Sequence, residues 1–110
     1  MVSHIATFAF SGIDVTDVDV QTQLASGNVV FTIVGLADKA IEEAKERIGV
    51  ALKSVGYKSP RNQPVKVLVN LAPADIKKEG ALYDLPIALG FLLASQQLTI
   101  DMQDKLVFGE

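Results

Sequence analysis

Residues 29–38, Val-Val-Phe-Thr-Ile-Val-Gly-Leu-Ala-Asp, contain the change from strand to helix that decides the fold. Residues 29–34 are apolar on both faces, which predicts an interior strand that is covered on both sides or paired centrally. Gly35 ends this strand, and the hydrophobic period changes at Asp38. The stretch therefore predicts a strand followed directly by a helix.

The helix after this strand is predicted from apolar residues spaced three or four positions apart. Asp38 is a suitable N-cap, Glu42 and Glu43 lie near the positive end of the helix dipole, and Gly56 supplies a stop. The apolar face consists of Ala37, Ile41, Ala44, Ile48, Leu52 and Val55.

Two strands are predicted on the N-terminal side of residue 29. In residues 17–24 apolar and polar side chains alternate, which is typical of a strand with one buried face comprising Val18, Val20, Thr22 and Leu24. Residues 4–10 alternate more loosely, with Ala6, Phe8 and Phe10 on one side. Residues 11–14, Ser-Gly-Ile-Asp, supply a turn, so the two strands form a hairpin.

A fourth strand and a last helix are predicted on the C-terminal side. Residues 65–71 alternate, with Val67, Val69 and Leu71 toward the core, and a loop covers residues 72–83. Asp84 is expected to cap a helix that is apolar all round apart from Gly90, so this helix is expected to be buried. Residues 101–106 are expected to add a short turn of helix.

The order of these elements, β-β-β-α-β-α, predicts an α+β fold in which two helices cover a mixed four-stranded sheet. The 110 residues, 49% of them hydrophobic, are enough for one core, so residues 1–110 are expected to form a single domain. The chain has no cysteine, its longest apolar stretch is too short to span a membrane, and it carries no leader pattern. These features favour a soluble, cytoplasmic protein without a membrane partner.

Three segments together resemble the magnesium-chelatase-like competence-protein family of bacterial AAA+ ATPases. They are residues 31–38, FTIVGLAD; residues 70–80, NLAPADIKKEG; and residues 83–90, YDLPIALG. The Gly12-Ile13-Asp14 turn and the helix at residues 42–47 also fit, so the resemblance covers essentially the whole chain.

The resemblance implies a fold and a place within a larger protein. It implies a domain with the ribosomal-protein-S5-domain-2 type of fold, shared with Lon-like peptidases, ahead of an AAA+ ATPase that is absent from this chain. It implies no cofactor in this chain and ATP with magnesium in the missing ATPase. The partners it implies are that downstream ATPase, the neighbouring subunits of a ring, and DNA.

One segment has functional promise because it carries five cations and no acid. This segment is residues 47–74, and it is basic although the chain as a whole has a net charge of -3. Tyr57 lies among its cations, where an aromatic ring can stack on a base. The candidate nucleic-acid-binding residues are therefore Arg47, Lys53, Lys58, Arg61 and Lys66. The alternative is an ordinary solvated face in which Arg47 and Lys53 favour the helix C-terminus.

The loop before the last helix supplies the second set of candidates. Lys77, Lys78 and Glu79 are either a contact surface for the ATPase or a neighbouring subunit, or a solvated turn that positions Asp84. A peptidase needs a hydroxyl nucleophile beside a base, and residues 72–84 contain no serine or threonine. A catalytic role is therefore not expected for this loop.

Cofactor and metal sites are not expected either. No phosphate-binding G-x-x-x-x-G-K-[ST] pattern occurs, and the acids at positions 14, 17 and 19 lack the glycine and glutamate of a calcium loop. His4 is the single histidine. The sequence thus predicts a non-catalytic accessory domain of an ATPase that acts on DNA in competence or recombination. The alternatives are an accessory domain of a metal-chelatase-type ATPase that binds a protein partner, and an inactive relic of a Lon-like peptidase.

Overall fold

The computed structural model describes residues 2–110 of the chain. Its elements, in order, are β1 (Val2–Ser11), β2 (Asp14–Ser26), β3 (Val30–Val34), α1 (Lys39–Ser54), β4 (Val65–Ala72) and α2 (Asp84–Ala94). A single turn of 3₁₀ helix at Pro60–Asn62 precedes β4. The predicted element order is confirmed.

The four strands form one mixed sheet in the order β1-β2-β4-β3. The pairs β1/β2 and β2/β4 are antiparallel, whereas β3 and β4 are parallel and are connected through α1. The two helices pack on one face of the sheet, since their apolar residues and those of alternate strand positions belong to one core. The predicted α+β arrangement of two helices over a mixed four-stranded sheet is confirmed.

The core follows the predicted hydrophobic faces closely. On α1 the buried residues are Ile41, Ala44, Ile48 and Leu52, and Asp38 is the N-cap as predicted. On the strands the buried residues include Val18, Val20, Val67, Val69 and Leu71. Val55 was predicted to extend the buried face of α1 but is exposed, because the helix ends at Ser54 and the chain turns away there.

Ala6, Phe8 and Phe10 of β1 share one side, as predicted, and this side faces away from the helices. The side chains of β1 that face the helices are Ser3, Ile5, Thr7 and Ala9, whereas Ala6, Phe8 and Phe10 lie on the open face of the sheet. The reason is the close approach of α2. The Ser3 hydroxyl donates to the Gly90 carbonyl oxygen at 2.7 Å, so this side of β1 has no room for phenylalanine.

The prediction that β3 is an interior strand is wrong. It lies at an edge of the sheet, and only Ile33 of its side chains is buried. The interior strands are β2 and β4, which alternate clearly in sequence because only one face of this sheet is covered by helices. A run of apolar residues therefore does not distinguish an interior strand from an edge strand with an uncovered face.

Two further predictions near the C-terminus are wrong. Asp84 does not cap α2; it lies within the first turn, and the N-cap residue Tyr83 makes no side-chain capping bond. Residues 101–106 form no helix but lead into an extended segment, whose Val107 amide donates to the Ala6 carbonyl oxygen at 2.9 Å. This segment therefore lies along the outer edge of β1.

Among residues 2–110, no helix has both the length and the apolar composition needed to cross a membrane. The most apolar helix, α2, has 11 residues and packs on β1 and β2.

Two helical glycines give a matched test of this packing. A Cβ at Gly90 would lie 2.6 Å from the Thr22 hydroxyl oxygen, whereas a Cβ at Gly49 meets nothing within 4 Å. We expect Gly90→Ala to lower the free energy of unfolding by about 1–3 kcal/mol through overpacking. We expect Gly49→Ala to raise it by about 0.5–1 kcal/mol, because alanine is the better helix former. Urea denaturation of both variants measures the two effects, and an equal change at the two positions would contradict the close packing of α2.

Candidate functional site

Lys78 is the most unusual residue of the loop between β4 and α2, because its side chain is fully buried. Its ammonium group donates to the carbonyl oxygen of Gly35 at 2.8 Å and to that of Pro73. Burial lowers the pKa of Lys78 below its ordinary value, since desolvation disfavours the charged form. Lys78 therefore joins the end of β3 to the end of β4.

Asp38 completes this connection from the start of α1. One carboxylate oxygen accepts from the Ile41 amide at 2.9 Å, and the other accepts from the Gly80 amide at 3.0 Å. The main chain of Lys78 adds a short parallel bridge, accepting from the Asp38 amide and donating to the Leu36 carbonyl oxygen at 3.1 Å each. We call Lys78, Asp38 and their bonded main-chain groups the loop anchor.

The loop anchor shows that one of the three predicted interface residues, Lys78, is bonded inside the domain. Lys78 is not available to a partner, because its charge is satisfied inside the domain. The solvated-turn interpretation is also wrong for this residue. Lys77 and Glu79 on either side are exposed, so for these two the interface role stays a prediction.

Arg47 and Asp84 form an ion pair between α1 and the first turn of α2. The Arg47 Nε lies 2.6 Å from one Asp84 carboxylate oxygen and its Nη2 lies 2.9 Å from the other. Nη2 also donates to the Ala40 carbonyl oxygen at 2.8 Å. The hydrogen bonds to Asp84, whose side chain is buried, raise the pKa of Arg47. The predicted DNA-binding residue Arg47 thus has its guanidinium engaged inside the domain.

Three of the five cations of residues 47–74 are either ion-paired or lie on the other face of the sheet. Arg61 pairs with Glu46 on α1 at 2.5 Å. Lys66 points to the open face of the sheet, because its neighbour Val67 points into the core. Of these five cations, Lys53 and Lys58 are the two that are exposed on the helix side and make no ion pair with residues 2–110. DNA binding by these two lysines remains a prediction.

A larger exposed feature is the end of the β1–β2 hairpin. Residues 14–18 of β2 pair only with β1, so the hairpin extends past β4 as a two-stranded ribbon. Three apolar side chains near its tip are uncovered: Phe10 is 63% exposed, Ile13 100% and Val15 59%. We call residues 8–18 the hairpin arm.

The base of the hairpin arm is held by aromatic contacts. The Phe8 ring lies 5.2 Å from those of both Phe10 and Phe108, in edge-to-face geometry. The buried Tyr83 hydroxyl donates to the Phe8 carbonyl oxygen at 2.9 Å, and burial raises the pKa of Tyr83. The arm is therefore fixed to the same loop as the loop anchor.

Sequence reasoning missed the hairpin arm, although one signal was present. Ile13 stands at the centre of a turn, where polar residues are usual, and the paired strand positions Phe10 and Val15 are also large and apolar. An apolar residue in a turn is typical of an exposed contact surface. Residues 2–110 contain no cluster of three or more His, Cys, Asp or Glu side chains that could hold a metal ion.

The fold and these sites define a two-layer α+β domain, with helices on one face of a sheet, whose buried Lys78 and Asp84 charges are bonded internally and whose exposed surface includes an apolar arm. Comparison with known proteins identifies the family. The model for "Subunit ChlI of Mg-chelatase" matches residues 20–110, so the chain belongs to the magnesium-chelatase-like family of this subunit.

Two relatives agree with this assignment and place the chain among the proteins of the ComM and YifB type. The competence protein ComM of Haemophilus influenzae is 43% identical over 90 residues, which are 82% of this chain and 17% of ComM. The YifB protein of Escherichia coli is 39% identical over 103 residues, 94% of this chain and 20% of YifB. The chain thus spans about a fifth of the length of these relatives.

Two arginine pairs test which charges stabilise the domain. We expect Arg47→Met to lower the midpoint of thermal unfolding clearly, because it leaves the buried Asp84 carboxylate without its partner. We expect Arg61→Met, which removes an exposed pair with Glu46, to change stability by less than about 1 kcal/mol. Calorimetry measures both.

A double variant separates the effect of the unpaired Asp84 charge from the effect of losing the packing of the Arg47 side chain. Adding Asp84→Asn to Arg47→Met removes the unpaired charge, so the double variant should be more stable than Arg47→Met alone. A double variant that is less stable than the single one would show that the ion pair is not the reason for the loss.

Proposed function

We propose that this chain is a non-catalytic accessory and assembly domain of a magnesium-chelatase-like AAA+ ATPase. The observation that carries the proposal is that charged side chains are bonded inside the domain whereas large apolar side chains are exposed to solvent. The buried charges of Lys78 and Asp84 are bonded within the fold, whereas the hairpin arm presents Phe10, Ile13 and Val15 to solvent. An uncovered apolar patch on a rigid ribbon is typical of a protein contact.

The chemistry of the loop supports a non-catalytic role. A peptidase of the serine–lysine kind needs a hydroxyl group beside a lysine amine, and residues 72–84 contain no serine or threonine. The ammonium group of Lys78 is already bonded to two main-chain carbonyl oxygens. We therefore assign ATP and magnesium to the ATPase part of the parent protein, and we infer the ribosomal-protein-S5-domain-2 type of fold and a cytoplasmic location from the family.

The hairpin arm is the surface that we assign to assembly. Phe8 and Phe10 line one surface depression together with the exposed Glu79, and Phe8 contacts Phe108, so this end of the domain combines apolar side chains with an exposed charge. This composition fits a contact with the ATPase or a neighbouring subunit of a ring. A chelatase-type parent would use the same arm to bind a protein partner.

The assembly role predicts that the arm is needed in the longer protein that carries this domain. We expect Phe10→Ser with Ile13→Ser to reduce the fraction of assembled rings and the ATPase rate at least severalfold, because an apolar contact is replaced by polar groups. Mass photometry and an ATPase assay measure the two quantities.

Val50→Ser with Val55→Ser is the matched control. These residues are 70% and 69% exposed, so the change in surface polarity is similar, but they lie on and just after α1, away from the arm. Assembly and ATPase rates unchanged in the arm variant, or reduced equally in the control, would contradict the proposal. ATP hydrolysis by the isolated chain would contradict its non-catalytic character.

DNA is a second candidate ligand of the domain, and we propose it for Lys53 and Lys58. Both side chains are exposed, and the main chain of Lys58 is held in place by two hydrogen bonds with Gln97, at 2.7 and 2.9 Å. The name of the relative ComM, a competence protein, fits a parent that handles DNA. Two exposed lysines give weak binding that depends steeply on salt.

Fluorescence anisotropy of labelled single- and double-stranded DNA tests this second role. At low salt we expect Lys53→Glu with Lys58→Glu to weaken binding at least tenfold, because two attractive charges become repulsive. The control Lys66→Glu with Lys77→Glu changes the net charge equally but lies outside this surface. Equal losses in the two double variants would mean that only net charge matters, and no binding by the unsubstituted chain would remove DNA as a ligand of this domain.

A further inference from the structure

The outer side of β3 is an unpaired sheet edge. Its inner side forms a parallel ladder with β4, from Val30 opposite Lys66 to Val34 opposite Asn70. Within residues 2–110, no turn, loop or side chain adds a hydrogen bond to the main chain of residues 30–34. The outward N–H and C=O groups of β3 are therefore available to another strand.

The two edges of the sheet differ in how they are protected. At the β1 edge, Leu106 pairs with Ala6, and the Val107 amide donates to the Ala6 carbonyl oxygen, so part of this edge is covered. At the β3 edge nothing comparable occurs among the described residues. Proteins usually protect an open edge with charges, proline or a bulge.

The sequence of the β3 edge contains none of these protective features. Residues 29–34, Val-Val-Phe-Thr-Ile-Val, include no charge, no proline and no glycine. Val30 and Val34 are 44% and 41% exposed on the open face of the sheet. An uncharged, β-branched segment with free main-chain groups favours pairing with a strand of the same character.

We propose that β3 pairs antiparallel with β3 of a second copy of this chain, so that the two four-stranded sheets become continuous. With the two-fold axis at Thr32, this residue faces its own copy and Val30 faces Val34. On the other face Phe31 faces Ile33. Every apolar residue then meets an apolar residue and no like charges are opposed, which makes the strand self-complementary.

The neighbouring helix is compatible with this pairing. Lys45, whose amine lies 6.0 Å from the centre of the Phe31 ring, is paired with Glu42 at 2.8 Å. On the helix side of the sheet, the cation that contacts β3 is thus ion-paired within its own copy. The proposal depends on β3 alone and goes beyond the role of the hairpin arm.

Disulfide trapping tests the pairing directly, because the chain has no cysteine of its own. In the proposed register the two Thr32 residues are directly opposite, at a Cβ separation of about 4.5–5.5 Å. We expect Thr32→Cys to form a covalent dimer under mild oxidation. The control Leu68→Cys lies on the same open face and is 42% exposed, but it belongs to the interior strand β4 and should remain monomeric.

Mixed cysteine variants test the register. Val30→Cys mixed with Val34→Cys should give a covalent dimer, whereas either variant alone should give much less. Efficient trapping of Leu68→Cys, or equal trapping of every cysteine variant, would overturn the proposal in favour of stacked open faces or random collision.

Sedimentation equilibrium of the unmodified chain provides the independent measurement. We expect a reversible dimer whose dissociation constant rises at least tenfold in Val30→Lys, since a charge on the edge blocks strand addition. Leu68→Lys, with the same charge on the interior strand, should dimerise like the unsubstituted chain. A monomer at every concentration, or equal weakening by the two lysines, would overturn the proposal, and circular dichroism checks that both variants are folded.

Discussion

Lys78 places a buried ammonium group between the carbonyl oxygens of Gly35 and Pro73, and the remaining loop geometry depends on this contact. Burying a cation is costly unless it is hydrogen-bonded. The chain meets this requirement with groups from the ends of two parallel strands, and Asp38 adds the N-terminus of α1 to the same cluster. Two segments that are distant in sequence, residues 35–41 and 73–80, are thereby held together at one end of the sheet.

The loop anchor also explains how the domain divides its polar and apolar residues. The loop that it fixes carries Tyr83, which binds the hairpin arm, and Asp84, which binds α1 through Arg47. Because Lys78 and Asp84 are bonded to other parts of the domain, their charged groups are not available to a ligand at the surface of the loop. The exposed features are instead the apolar arm and the open edge of β3, and both are suited to protein contacts.

The sequence was sufficient for the element order, the fold class and most of the core, because alternation in β2 and β4 and the helical period of α1 are local signals. It was insufficient where a residue's role depends on a distant partner. In the sequence Lys78 and Arg47 look like surface charges and Asp84 looks like a helix cap, and only the folded chain shows their partners. Likewise, the strand order that puts β3 at the edge depends on where β4 inserts, which no local pattern encodes.

The chain belongs to the magnesium-chelatase-like family and spans about a fifth of the length of its ComM and YifB relatives. The loop anchor is the feature on which the proposed arrangement of this end of the domain depends most. Native-state hydrogen exchange of the Lys78 and Gly80 amides tests it most directly, with Val69 in β4 and Ile13 in the hairpin turn as internal references. If the anchor holds the loop, both amides will be protected to within about tenfold of Val69, because their bonds to Leu36 and Asp38 must break first. Exchange of both amides as fast as that of Ile13 would show that the loop is solvated and that Lys78 does not organise this end of the fold.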